Sequence, residues 1–348
     1  MNRYILHIGL HKTATKFLQH KVFPNLLESK FVYNPPRMTQ LICDLIKAFK
    51  EDVEMVQAEI IKEKEFLKSK YNGKTIVISR EVMSGDLFTF YKDKETTVYK
   101  LSTAFSGATV IYSLRYQVDW IISCYRESIH EHHYQSIDKF LRLKKSDSFF
   151  INNSYKDLDI HKYGKLLKES FGQENVHLLY YENFKKEKEQ TVIKVANILG
   201  EKDIPIKIDN DRIPNRGYSA FAIKLSIFRA YFLIKIGLSK NIHRPIRFLG
   251  PNSIPAGFEN LSILDKNKYW GGEFLRDNEE VRSINYPNLS KKEAKKLEWS
   301  WRNIIKNKLD KFFYWDWDLL GERRVEMDIY FKKLNKLNLP KDAPKVYF

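Results

Sequence analysis

Four short apolar runs, each followed by a stretch with helical spacing, constrain this chain more than any other feature. They are RYILHIG (3–9), TIVIS (75–79), ATVIYSL (108–114) and NVHLLY (175–180). None alternates apolar with polar residues over its length, so both faces of each strand must be covered. Strands of that kind, separated by helices, form a parallel sheet with helices on both faces. The spacing therefore predicts an α/β fold built on a parallel sheet.

A shorter run at 31–33 adds a strand that Pro35 and Pro36 end. Residues 15–23 read as a helix through Phe17, Leu18 and Val22, with Pro24 as its stop. Residues 38–70 form a long helical region broken once, with Leu41, Leu45, Phe49, Val53, Val56 and Ile60 apolar. Val118, Ile121, Ile122, Tyr125 and Ile129 mark one helix face, and 185–199 is a helix that Gly200 ends. Residues 291–312 and 327–337 also read as helical. The whole chain, 1–348, is expected to be one domain. Its α/β core is 1–205, and 206–348 is a mostly helical and loop elaboration that helps to form an acceptor site.

Composition narrows the partners. Hydrophobic residues make up 43% and aromatics 14% of 348, enough for a large core and against disorder. The formal charge is +17, from Lys+Arg 60 against Asp+Glu 43. Such a surplus attracts polyanions of many kinds and does not choose among them. Cys43 and Cys124 fit neither a disulfide framework nor a metal motif, which points to a reducing compartment. Residues 1–10 lack the pattern of a secretory signal, so the cytoplasm is the expected location. Residues 220–238 are apolar but interrupted by Lys224, Arg229 and Lys235. They read as a buried helix with snorkelling lysines, or alternatively as a helix lying on a membrane surface.

The segment GLHKTATK, Gly9 to Lys16, lies between the first strand and the first helix. There, backbone N–H groups point outward and the helix dipole favours negative charge. Lys12 adds a cation, and Thr13 and Thr15 add hydroxyls, which makes a phosphate cradle. It is not a Walker A loop, because the spacing is shorter and no Gly-Lys pair is present. A second cluster follows the strand at 108–114. Arg115 stands at the strand end, and Asp119, Ser123, Arg126 and His130 share one helical stripe. An Arg fork and a Ser hydroxyl there can grip a second phosphate at the carboxyl edge of the sheet.

With these two motifs the chain resembles the sulfotransferases that use 3′-phosphoadenosine 5′-phosphosulfate (PAPS). HIGLHKTATKFLQ is similar to the family's 5′-phosphosulfate loop, and VIYSLRYQVDWIISCYRES to its 3′-phosphate motif. VHLLYYENFKK resembles a downstream strand and Tyr-Glu stretch. Pro214 to Ser219 lies where the family often closes a loop over the nucleotide. The resemblance spans roughly residues 3–220. It implies a P-loop-like fold, transfer of a sulfuryl group from PAPS to a hydroxyl or amine, and 3′-phosphoadenosine 5′-phosphate (PAP) as product. It further implies that Lys12 stabilises the leaving phosphate while Thr13, Ala14, Thr15 and Lys16 hold it. Arg115 and Ser123 would hold the 3′-phosphate, with Arg216 and Gly217 from the closing loop. Ala14 stands where the family usually has Gly, and Lys16 where Ser or Thr is usual.

An acceptor hydroxyl needs a base. Glu81, just after TIVIS, is the first candidate, and His11, beside the cradle, is the second. The run His130, Glu131, His132, His133 reads as a solvated helix end rather than a Zn site. Trp299, Trp301, Trp315 and Trp317, in a basic region, suit a glycan or glycolipid acceptor. No metal and no nucleic-acid partner are expected. Peripheral contact with an anionic membrane at its inner face fits the charge. The competing readings are a P-loop-like nucleotide kinase and a basic nucleic-acid-binding protein.

Overall fold

The computed structural model describes residues 2–87, 91–142, 158–202, 204, 213–214, 218–237, 253–254, 315–340 and 343–348. The expected helix at 291–312, with Trp299 and Trp301, lies outside the described residues. Two compact units are present: 1–124 with 137–208 and 320–348, and 125–136 with 209–319.

The first unit contains strands β1 (Tyr4–Gly9), β2 (Phe31–Tyr33), β3 (Thr75–Ser79), β4 (Thr109–Leu114) and β5 (Val176–Tyr180). They form one all-parallel five-stranded sheet of order β2-β3-β1-β4-β5. Every residue of β4 is buried, as expected of a strand covered on both faces. The connecting helices are α1 (Thr15–Phe17), α2 (Pro36–Lys47), α3 (Val53–Lys70), α4 (Lys94–Ala104), α5 (Gln117–His130), α6 (Ile137–Arg142), α7 (Ile160–Phe171), α8 (Tyr181–Lys186) and α9 (Lys188–Leu199). The region 38–70 does break once, between α2 and α3. The segment 185–199 divides at Glu187, whose backbone at φ −141 and ψ 80 is not helical. Helix α1 continues as a wide π-turn, Leu18–Val22, and ends in a tight turn that contains Pro24.

Helices cover both faces of the sheet. On one face Ile5, Val77, Ile111 and Leu179 pack on Leu18, Val22 and Phe23 and on Val192, Val195 and Leu199 of α9. Each such side chain contributes about 1.5–3 kcal/mol when fully buried. On the other face the Tyr112 ring lies 5.2 Å from Tyr163 of α7, and its hydroxyl donates to the Ile160 carbonyl. Gly200 takes φ +83 and stops α9, a left-handed conformation that glycine adopts without a Cβ clash.

The centre of the sheet holds a polar tie. His7 is 1% exposed, and its Nδ1 meets Ser79 Oγ of β3 at 2.6 Å. Its Nε2 meets Ser113 Oγ of β4 at 3.0 Å. Each hydroxyl can donate or accept, so a neutral ring is satisfied on both nitrogens. Burial pushes its pKa down to about 3.

The chain's last segment returns to this unit. Helix α10 (Ala220–Lys235) belongs to the other unit, and α11 (Arg323–Asn338) to the first. Buried Asn335 of α11 exchanges hydrogen bonds with Gln117 and meets His161 Nε2 at 2.7 Å. Tyr347 is fully buried, edge-on to Tyr116 and Tyr180, and its hydroxyl donates to Glu182 at 2.9 Å.

His7 makes stability depend on acid. The unfolded chain takes a proton on this ring below about pH 6.5, and the folded chain does not until about 3. The contribution is complete above 6.5 and is lost as pH falls through that window. Between pH 7 and 5 the loss is about 2 kcal/mol. Urea titrations at both pH values should show a shallower fall for His7→Asn than for the native chain. Parallel falls would refute the assignment.

Candidate anion-binding and catalytic site

The turn after β1 is built by close approach and by strained backbone. Gly9 is needed because a Cβ there would collide with Thr15 Cγ2. Lys12 has φ +65 and Ala14 φ +63. A side chain in the left-handed region costs about 1–2 kcal/mol. Tight turns with such left-handed residues can bring successive N–H groups toward one point, a geometry suited to anions. Among the described residues, no protein acceptor pairs with the N–H of Thr13, Ala14 or Thr15, and α1 has no side-chain cap.

Neighbouring residues fix this turn. The Leu10 N–H donates to the Ser113 carbonyl at 3.0 Å. Trp120 of α5 donates its Nε1–H to the His11 carbonyl at 2.8 Å. The His11 N–H donates to the Tyr91 hydroxyl at 3.0 Å, and His11 Nδ1 lies 3.2 Å from that same oxygen. Tyr91 is buried, and its phenol is held protonated by desolvation. The Thr13 hydroxyl donates to the Leu10 carbonyl at 2.5 Å, and the Thr15 hydroxyl donates to Glu81 Oε1. Both hydroxyls therefore serve the turn itself.

The sheet brings Arg115 and Glu81 to this turn. Arg115 follows β4, and its guanidinium donates to the Lys12 carbonyl at 3.1 Å. It also stacks 4.3 Å from the centre of the Tyr181 ring. Its Nε–H is buried and has no hydrogen-bond partner among the described residues. Glu81 follows β3, and its Oε2 lies 4.0 Å from His11 Nε2. Lys12 is half-buried and Lys16 exposed. Beside the turn lies a small open recess walled in part by Ser113, Leu179, Tyr181 and Phe184.

The remaining expected residues are placed as follows. Ser123 is half-buried on α5, three residues after Trp120, with no hydrogen-bond partner among the described residues. Asp119, on its stripe, pairs with Arg324 at 3.2 Å. Arg126 pairs with Asp316 at 2.9 Å, and His130 Nδ1 meets the Tyr218 hydroxyl at 2.8 Å. Arg216 and Gly217 lie outside the described residues. Among the described residues no cluster of three or more His, Cys, Asp or Glu is arranged to hold a metal ion.

Tyr91, Trp120 and Glu182 were not found from sequence. Tyr91 belongs to no motif. Trp120 lies between the positions that mark the apolar face of α5. Glu182 accepts from the Tyr116 N–H at 2.8 Å, directly after Arg115, and burial pushes its pKa up. The only signal for Glu182 was its place in the Tyr-Tyr-Glu stretch after β5.

The class defined by this architecture is an α/β protein with an all-parallel sheet whose carboxyl edge carries a tight turn, an arginine and a glutamate. No family model and no curated protein matches the chain. Among solved structures it is similar to a sulfotransferase from Alicyclobacillus acidocaldarius. That match has 16% identity and a TM-score of 0.40, and covers 71% of this chain and 98% of the other. It is also similar to mouse sulfotransferase SULT7A1 complexed with PAP, at 13% identity and a TM-score of 0.34. That match covers 85% of this chain and 88% of the other.

The backbone of the turn predicts two substitutions of opposite sign. Ala14→Gly should raise the urea midpoint, by about 1 kcal/mol of stability, because the strain at φ +63 is relieved. Gly9→Ala should lower it by about 1–3 kcal/mol, because Thr15 has to move. The reverse signs would refute this geometry.

Proposed function

We propose that this chain is a PAPS-dependent sulfotransferase whose acceptor is a hydroxyl or amine of a glycan or glycolipid. One observation carries the reading. The unpaired N–H groups of Thr13, Ala14 and Thr15 and the Arg115 guanidinium gather at one sheet edge, with a carboxylate and an imidazole beside them. Two anion-binding groups suit a nucleotide with phosphates at both its 5′ and 3′ positions. A loop without the Gly-Lys pair of a triphosphate site suits a donor that needs no Mg²⁺.

PAPS supplies a sulfuryl group that passes in line to the acceptor, leaving PAP. The chain's residues have separable tasks in this reading. The turn's N–H groups and Lys12 stabilise charge on the leaving 5′-phosphate oxygens. Arg115 and Ser123 hold the 3′-phosphate, with Arg216 and Gly217 assigned to the closing loop. Glu81 takes the acceptor proton. Thr15 fixes one of its oxygens, and the other remains 4.0 Å from His11 Nε2. His11 is the alternative base, and Tyr91 and Trp120 hold its ring and backbone. The acceptor assignment rests on the basic surplus and the aromatic residues near the C-terminus. The assigned location is the cytoplasm, at the inner face of the membrane, where a lipid-linked glycan would be met.

Calorimetry with PAP tests the donor site. Lys12→Ala and Arg115→Ala should each weaken binding at least about tenfold, the loss of one charge-assisted hydrogen bond. Affinity unchanged in both would remove the assignment, and Mg²⁺-dependent ATP turnover would replace it with the kinase reading. With labelled donor and a glycan panel, Glu81→Gln should lower kcat by about 100-fold or more. PAP affinity should stay within about threefold, since no contact to the 3′-phosphate is removed. A kcat near native would pass the base role to His11.

A further inference from the structure

Helix α10 is packed inside out. It buries its small residues, Ala220, Ala222, Ser226 and Ala230, together with Ile223. It exposes its large ones: Phe228 is 68%, Tyr231 60% and Phe232 53% open to solvent, and Ile234 and Ile236 are also more than half exposed. A soluble helix usually hides its bulkiest apolar side chains and leaves polar ones outside. A contiguous apolar face of this kind marks a surface that something else covers.

The charges around the face identify what covers it. Residues 220–237 contain Lys224, Arg229 and Lys235 and no Asp or Glu. Lys224 lies over the Trp317 ring at 4.8 Å, and Lys235 over Tyr231 at 4.9 Å. Trp317 and Trp315 are themselves 40% and 50% exposed, and Trp315 packs on Phe221 of the same helix. Cations thus stand at both ends of an aromatic surface, each with its ammonium nitrogen over a ring. That composition matches a lipid boundary, where Trp and Tyr sit at headgroup level and lysines reach anionic phosphates. A protein-binding core would be depleted in lysine. Among the described residues no helix is long and apolar enough to cross a membrane, so the helix would lie along the surface.

We propose that the outer face of α10, with Trp315 and Trp317, docks on an anionic membrane surface. The docking is independent of the donor site. It deepens the acceptor reading only in that it would bring the enzyme to lipid-borne glycans.

Co-sedimentation of the full chain with vesicles tests it. The native chain should bind vesicles of phosphatidylcholine and phosphatidylserine mixed roughly two to one at least about tenfold more tightly than pure phosphatidylcholine, and less tightly as salt rises. The double variants Phe228→Ser/Phe232→Ser and Lys224→Glu/Lys235→Glu should each lose about tenfold or more. PAP calorimetry on both variants reports whether the fold is kept. If either fails that control, native Trp fluorescence decides. Quenching by bromine-labelled lipid in the mixed vesicles supports the docking, and no quenching overturns it. Equal binding to neutral and anionic vesicles would also overturn it. So would variants that bind as well as the native chain, a dimer that both double variants break, or capture of soluble glycans with no vesicle binding. A native chain that binds PAP but not the mixed vesicles would sink the docking alone. The converse result would sink the donor site alone.

Discussion

The bonds from His7 to Ser79 and Ser113 set the level at which three strands end. His7 faces Ser79 in the β1–β3 register, and Ser113 faces Gly9 in the β1–β4 register. Strands rise by a common step of about 3.3 Å per residue. A tie at one level therefore fixes the height of whatever follows. Just past the tie, β1 gives the turn, β3 gives Glu81 and β4 gives Arg115. A slip of one residue in either pairing would turn these side chains to the opposite face of the sheet. An apolar residue at position 7 would fill the space without setting the register so sharply.

The turn shows how the strained conformation is held. Left-handed Lys12 and Ala14 each cost about 1–2 kcal/mol, and a net hydrogen bond returns about 1. Bonds from Arg115 to the Lys12 carbonyl, from Trp120 to the His11 carbonyl and from His11 to Tyr91 are of the right number and size to offset that strain. Two of these bonds satisfy the Lys12 and His11 carbonyls, while among the described residues no protein acceptor pairs with the N–H of Thr13, Ala14 or Thr15. The turn is therefore held from several sides, and in the proposed reading an anion would bind with little reorganisation.

Much of this was legible in the sequence because it is local. Four apolar runs and the short 31–33 segment located all five strands of the sheet. Gly200 and Pro24 marked real ends. The turn at 9–16, Glu81 after β3 and Arg115 after β4 could be placed together because parallel strands deliver their carboxyl ends to one edge. The residues not found depend on distant packing. Tyr91 reaches His11, and Tyr347 reaches Glu182, across long stretches of chain that no periodicity links. The long apolar stretch at 220–238 signalled a helix, but not which side it buries. Hydropathy counts Phe and Ala alike as apolar, so the inversion in α10 is invisible to it.

The burial of Tyr347 has a consequence for how the protein is made. Its ring fills the gap between Tyr116 and Tyr180, and its hydroxyl completes the partners of Glu182, which in turn holds the backbone beside Arg115. During synthesis the strands emerge from the ribosome long before this tyrosine. Until it arrives, the nascent sheet has a gap at the tip of β4 and a carboxylate without one of its donors. The basic edge of the site can therefore reach its final shape only after residue 347 has left the exit tunnel.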